Sequence, residues 1–176
     1  MQSINIEYFK TPFGELILGS FDNKLCLCDW RYRKMRSSID KRIKTGIGAE
    51  YHESGSDVIT ETKAQLNQYF KAERTEFTIP LLLIGSDFQK SVWDILMQIP
   101  FGTTDTYAGL SKKMKNEKAI RAVAGANGAN AIAILVPCHR IIGSDGKLIG
   151  YAGGLKMKEK LLNLENALYK DQLRLF

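Results

Sequence analysis

The residues best equipped for chemistry in this 176-residue chain lie in its last third, where Pro137-Cys138-His139-Arg140 follows the apolar run AIAILV. A cysteine beside a histidine and an arginine is set up for ionisation, because nearby positive charge favours the thiolate. A carboxylate completes the set. On the final amphipathic stretch Leu161, Leu164 and Leu168 mark an apolar stripe, and Glu165 falls inside it. An inward carboxylate needs a partner, and His139, the only histidine in the second half of the chain, is the natural one. Glu165 would orient the imidazole and His139 would take the thiol proton. The same relay could serve a cysteine hydrolase, so spacing alone leaves the reaction open.

The elements that must position these groups follow from periodicity. INIEYF, ELILGS and KLCLCDW are short β-rich runs separated by TPFG and FDN, a small antiparallel meander. Residues 31–56 are polar and read as loop with one short helix at most. A helix is expected from Thr60 or Thr62 through Leu66, Tyr69 and Phe70, then a fourth strand over FTIPLLL at 77–83. After the linker IGS the period changes. Ser86 and Gln89 have the capping-box spacing, and Phe88, Val92, Trp93 and Leu96 give a helical stripe ended by Ile99-Pro100. Helices at about 106–114 and over KAIRAVAGAN give residues 106–127 the form of a helix-turn-helix, or of an ordinary helical hairpin. AIAILV reads as a strand, and a last helix runs from about Leu155 to Tyr169.

Charge and composition narrow the partners. The net charge of +6 is uneven, with +1 in residues 1–84 and +5 in residues 85–176, so a polyanion is expected on the second half. There Lys112, Lys113, Lys115 and Lys118 cluster beside a helix that is rich in small residues around Arg121, namely Ala119, Ala122, Ala124 and Gly125. Small residues permit close approach to another surface, and lysines suit phosphates. No run approaches a membrane span and the N-terminus has no leader pattern, so a cytoplasmic protein without membrane contact is expected. Cys26 and Cys28 share one face of a strand and read as core, because neither histidine is near them in sequence.

The PCHR block, with IIGSDGKLIGYAGGLKMKEKLLNLE after it and SDFQKSVWDILMQIPFGTTDTYAGLS before it, resembles the methylated-DNA-protein-cysteine methyltransferase family, the O6-alkylguanine-DNA alkyltransferases. The likeness is nearly continuous over residues 78–165, while residues 1–77 match in layout only. It implies an α+β protein. A small N-terminal antiparallel sheet with a helix, ribonuclease-H-like, forms a structural domain over 1–84. A mainly helical domain over 85–176, with a helix-turn-helix and an active-site strand, binds DNA and accepts the alkyl group.

By resemblance, Cys138 takes the methyl group of O6-methylguanine in double-stranded DNA, once and irreversibly, after the base is flipped out; O4-methylthymine is left open as a second substrate. His139 and Glu165 resemble the activating relay, working through a bound water. Asn130 resembles the hinge between the recognition helix and the active site, and Tyr107 the residue that rotates the target phosphate and touches the flipped guanine. Arg121 resembles the finger that replaces the extruded nucleotide, on a helix face with Ala119, Ala122, Gly125 and Lys118. Tyr151, Ala152 and Gly153 resemble a wall of the base pocket, with the carbonyls of Cys138 and Ile141 taking the guanine amino group and Lys158 close by. Ala131 stands where the family usually has Pro, and Ala152 where some members have Ser. With two N-terminal cysteines but only His52, the family's zinc site is not carried over, and no metal or cofactor is expected. A monomer is expected. Non-repairing relatives lack the acceptor cysteine, usually carrying Trp, so Cys138 argues for repair.

Overall fold

A computed structural model describes residues 2–168. The chain divides into two units, Met1–Gly85 and Ser86–Phe176.

The first unit is built on strands β1 (Ile4–Thr11), β2 (Gly14–Phe21), β3 (Lys24–Trp30) and β4 (Tyr51–Glu53), in the order β3-β2-β1-β4. The first three form the expected antiparallel meander, and β4 lies parallel to β1. Asp22 and Asn23 both take positive φ, the backbone a tight two-residue hairpin requires. Helix α1 (Arg36–Ile47), 12 residues long, occupies much of the polar stretch expected to be loop-rich with one short helix. It has only two buried anchors, Ile39 and Ile43. An ion network seats its start: Asp29, wholly buried, pairs with Arg33 at 3.1 Å and Arg36 at 3.0 Å. Helix α2 (Asp57–Phe70) begins earlier than expected because Ser56 is the cap, accepting from the Ile59 N–H.

The strand expected over 77–83 does not form. Pro80 has no N–H to give a ladder, and Thr78 N–H goes to the Gln65 side chain at 2.9 Å, leaving one isolated bridge between Leu25 and Leu81.

The second unit opens with α3 (Asp87–Leu96), whose capping box between Ser86 and Gln89 is complete. Val92, Trp93 and Leu96 are buried, but Phe88 is exposed rather than part of the stripe. Trp93 Nε1 donates to the Ala126 carbonyl at 2.8 Å. That bond ties α3 to α5 (Ile120–Gly128), the second helix of the helix-turn-helix. The first, α4 (Tyr107–Lys113), is capped by Thr106. The break between them is a left-handed Lys115 followed by a single 3₁₀ turn over Glu117–Ala119, so α5 starts two residues later than the sequence suggested. A short parallel pairing joins β5 (Asp105–Thr106) to β6 (Ile141–Ile142).

AIAILV is not a strand. Residues 131–136 form turns, with Ile134 at φ 72°, rare for a β-branched residue. Asn130 imposes this path: its Oδ1 accepts from Ile132 N–H at 2.9 Å while Nδ2 donates to the carbonyls of Val136 at 2.8 Å and Ile132 at 3.3 Å. Helix α6 (Leu155–Leu164) buries Lys158, Leu161 and Leu162, with Leu164 only partly covered. It ends before Glu165, and Tyr169 lies outside the described residues.

Asn130→Ala takes the carboxamide partner from the buried Ile132 N–H and one of two donors from each of the Ile132 and Val136 carbonyls. A stability loss of about 2–4 kcal/mol is expected in urea unfolding; a loss below about 0.5 kcal/mol would show that the 131–136 turns hold without this side chain.

Candidate active site and DNA-binding surface

Cys138, His139 and Arg140 occupy one 3₁₀ turn between the 131–136 turns and β6, and all three are buried. Glu165, at the end of α6 and 1% exposed, meets two of them. His139 Nε2 lies 2.8 Å from Glu165 Oε1. Arg140 grips the same carboxylate in bidentate fashion, Nε to Oε2 at 2.9 Å and Nη2 to Oε1 at 2.9 Å, and its Nη1 donates to the Ile99 carbonyl at 2.7 Å. Sequence reasoning took Arg140 only as a charge favouring the thiolate and missed its pairing with Glu165. Its signal was present, since a buried carboxylate next to a neutral imidazole lacks a balancing charge.

The protonation states follow. Burial alone would lift the Glu165 carboxyl, but the hydrogen bonds and charges of His139 and Arg140 outweigh it and hold the group at about 2. Burial pushes the His139 imidazolium below its ordinary value, and Arg140 and Lys158 add to that, against the pull of Glu165. His139 is therefore neutral at pH 7, and Arg140 supplies the counter-charge. An ionised carboxylate only accepts, so the imidazole proton sits on Nε2 and Nδ1 carries a lone pair. Nδ1 has no hydrogen-bond partner in the protein. A neutral, fixed imidazole with a free lone pair is what a proton acceptor needs.

Other expected residues converge here. Lys158, fully buried on α6, donates to the carbonyls of Ile141, Ile149 and Gly150. Tyr107, first residue of α4, donates to the Ile149 carbonyl at 3.1 Å. Burial raises its hydroxyl and the charge at Cys138 raises it further, against a hydrogen bond from Asn127, so the phenol stands in the field of the thiol and stays protonated. The Tyr151 ring lies edge-on to His139, centroids 6.5 Å apart. Tyr151, Ala152 and Gly153 are half-buried, Ile141 is buried, and Gly150 and Gly154 take positive φ at either end of their loop.

Arg121, Ala122, Gly125 and Lys118 are not part of this cluster. Arg121, Ala122 and Gly125 are exposed on the side of α5 away from buried Val123 and Ala126, while exposed Lys118 and half-buried Ala119 lie in the 3₁₀ turn before it. Nothing lies within 4 Å of where a Cβ on Gly125 or Gly128 would sit, so this face is smooth and open. Cys26 and Cys28 are buried in β3, with burial pushing the Cys26 thiol up to about 12 and that of Cys28 higher still. Neither thiol ionises at neutral pH. Among the described residues, no three His, Cys, Asp or Glu side chains gather as metal ligands, and no helix is long and apolar enough to cross a membrane.

Two family models cover nearly all of the described chain: the 6-O-methylguanine DNA methyltransferase ribonuclease-like domain over residues 4–83 and the DNA-binding domain of the same enzymes over 87–167. A methylated-DNA–protein-cysteine methyltransferase of Methanosarcina acetivorans is 39% identical over 160 residues, which is 90% of this chain and 96% of that one. Its counterpart in Mycobacterium leprae is 40% identical over 176 residues, 98% and 99% of the two chains. The crystal structure of Mycobacterium tuberculosis OGT in complex with DNA superposes with a TM-score of 0.79 at 35% identity, covering 93% of this chain and 94% of that one.

The fold and the matched domains are those of a two-unit DNA-repair transferase with a DNA-binding second unit. The chain belongs to the methylated-DNA–protein-cysteine methyltransferase family, whose members reverse O6-alkylguanine damage directly in a single turnover.

Acidification tests the charge assignment. A carboxyl held at about 2 in the fold and near 4.3 when unfolded contributes fully above about pH 5, and that contribution is lost as pH falls toward 2. His139 acts in the same direction, because the unfolded chain binds its proton below about pH 6.5 and the fold resists it. Urea unfolding followed by Trp93 fluorescence in a Trp30→Phe background should show stability falling from pH 6.5 to 3. Glu165→Gln should flatten the decline below pH 5, worth on the order of 3 kcal/mol. A wild-type profile level from pH 8 to 3 would contradict the assignment.

Proposed function

We propose that Cys138 is the acceptor, taking the alkyl group from O6-alkylguanine in duplex DNA after the damaged base has been turned out of the stack. The observation that carries this reading is the buried Glu165–His139 hydrogen bond beside Cys138, with the Nδ1 lone pair of His139 left to accept a proton. A water bridging Cys138 and Nδ1 would carry the thiol proton to the imidazole. The thiolate then attacks the methyl carbon in line, the carbon–oxygen bond breaks, and its electron pair passes to the purine oxygen. Tyr107 and the N–H groups of the 151–153 loop are the donors for that developing charge. The thioether formed is stable, so each molecule acts once.

Ionisation supplies little of the rate. Lowering a thiol from about 8.5 to about 7 raises the anion roughly fifteen-fold but cuts its nucleophilicity about five-fold, a net gain of about three. Most of the acceleration must come from alignment, for which effective molarities reach about 10⁵ M or more. The fixed surroundings of Cys138 suit this: Asn130 sets the turn before it and Lys158 the strand after it.

Exposed Arg121 is proposed to fill the gap left by the extruded base, while the open face at Ala122, Gly125 and Gly128 lies against the minor groove. Lys118 and its neighbours meet phosphates. The pocket is formed by Tyr151, Ala152, Gly153 and the Cys138 and Ile141 carbonyls. O4-methylthymine offers the same bond to the same nucleophile and belongs to the proposed substrate class. Residues 1–84 serve as the structural domain, and the protein acts as a monomer in the cytoplasm, where thiols stay reduced.

Incubation with an oligonucleotide bearing O6-methylguanine should add one methyl mass to the Cys138 peptide, stoichiometrically, and Cys138→Ala should abolish it; methyl retained on the DNA rejects the assignment. Arg121→Ala should slow repair in duplex by about ten-fold or more while leaving transfer from free O6-benzylguanine within about two-fold, as expected for a group that only offsets the few kcal/mol of base extrusion. Equal losses on both substrates would remove that role.

A further inference from the structure

The loop that walls the cluster is held by its backbone at residue 149. Ile149 is 52% exposed, yet its carbonyl accepts two hydrogen bonds, from Tyr107 Oη at 3.1 Å and from Lys158 Nζ at 3.0 Å. The donors come from different helices, α4 and α6, and they are not equivalent. Tyr107 is half-buried and has one hydroxyl proton, which cannot serve the Ile149 carbonyl and a purine at the same time. Lys158 is fully buried, and its ammonium meets three carbonyls, of Ile141, Ile149 and Gly150, so it joins β6 to the loop across the site.

We propose that Lys158 is a positioning residue that keeps the 149–150 loop attached while Tyr107 leaves the Ile149 carbonyl and donates to the departing purine. The inference rests on the reading of Tyr107 given above. In the resting protein the Ile149 carbonyl has two side-chain donors; during transfer it has one. Lys158 thus acts through the loop and does not reach the alkyl group. Its burial supports a role beyond packing. Removal from water pushes the ammonium down to about 8, against the pull of the charge at Cys138, so a cation here works against folding at neutral pH. A methionine would fill the same space without that penalty. The Ile141 carbonyl keeps a second lone pair after accepting from Lys158, so the clip and the proposed contact to a guanine amino group are compatible.

Two readouts on Tyr107→Phe, Lys158→Met and the double variant test the proposal. The first is the rate of Cys138 alkylation by free O6-benzylguanine. The second is tryptic cleavage after Lys147, an exposed residue in the same loop, without substrate. Each single variant retains one of these donors, so cleavage should stay within about three-fold of wild type, and the double variant should be cut about ten-fold faster or more. Lys158→Met should nevertheless alkylate about ten-fold more slowly or worse, the scale of a lost charged hydrogen bond. Lys158→Gln, too short to reach all three carbonyls, carries the same expectation if the methionine variant does not fold. The proposal is overturned if Lys158→Met alkylates at the wild-type rate, or if that single change opens the loop as far as the double variant does. Wild-type alkylation by Tyr107→Phe would instead overturn the role of Tyr107 at the purine, whatever Lys158 does.

Discussion

A carboxylate in the interior is the constraint around which the second unit is arranged. Glu165 has almost no contact with water, and a buried charge stays ionised only where other groups replace its hydration. Arg140 supplies the opposite charge through two bonds, and His139 supplies a third donor. The remaining Arg140 nitrogen goes to the carbonyl of Ile99, just beyond α3. One ion pair therefore joins the chain after α3, the 3₁₀ turn carrying Cys138 and the end of α6. Removing either partner would strand a charge, so the geometry at His139 is fixed by electrostatics as much as by packing.

Side chains bound to backbone do the work of secondary structure around this ion pair. Asn130 shapes the turns before Cys138 and Lys158 ties β6 to the 149–150 carbonyls. Regular elements satisfy their own polar groups, whereas irregular backbone at a buried site needs outside partners. Each such partner sets the position of particular atoms, which an in-line displacement requires. The price is dependence on a few side chains, Asn130 above all, since the Ile132 N–H is met by its carboxamide and not by a ladder partner.

Much of this was legible where local chemistry decides the outcome. Ser86 and Gln89 announce a helix start through atoms three residues apart, and Glu165 declares itself by sitting in an apolar stripe. The relay partner His139 followed from that alone. Where distant groups decide, the sequence misled. AIAILV has the composition of a core strand, but the Asn130 carboxamide captures its backbone into turns. FTIPLLL fails as a strand because Gln65, on α2, takes the Thr78 N–H. Helix α1 has too few apolar residues to show a periodic signal, and its start is seated by Asp29, a buried acid within β3 whose partners could not be read in advance. The Arg140 pairing escaped notice for a related reason: adjacent to His139 in sequence, it looked like a charge serving the thiol alone, and only the fold turns both onto one carboxylate.

The two cysteines of β3 bear on what a molecule like this can count. Their thiols are kept protonated by burial, so they are poor targets for electrophiles dissolved in the cell. A protein whose sulfur chemistry ends after one event would lose its information if side reactions at other thiols marked it as spent. With Cys26 and Cys28 silenced in the core, the alkylation proposed at Cys138 would be the one thiol event that marks the chain.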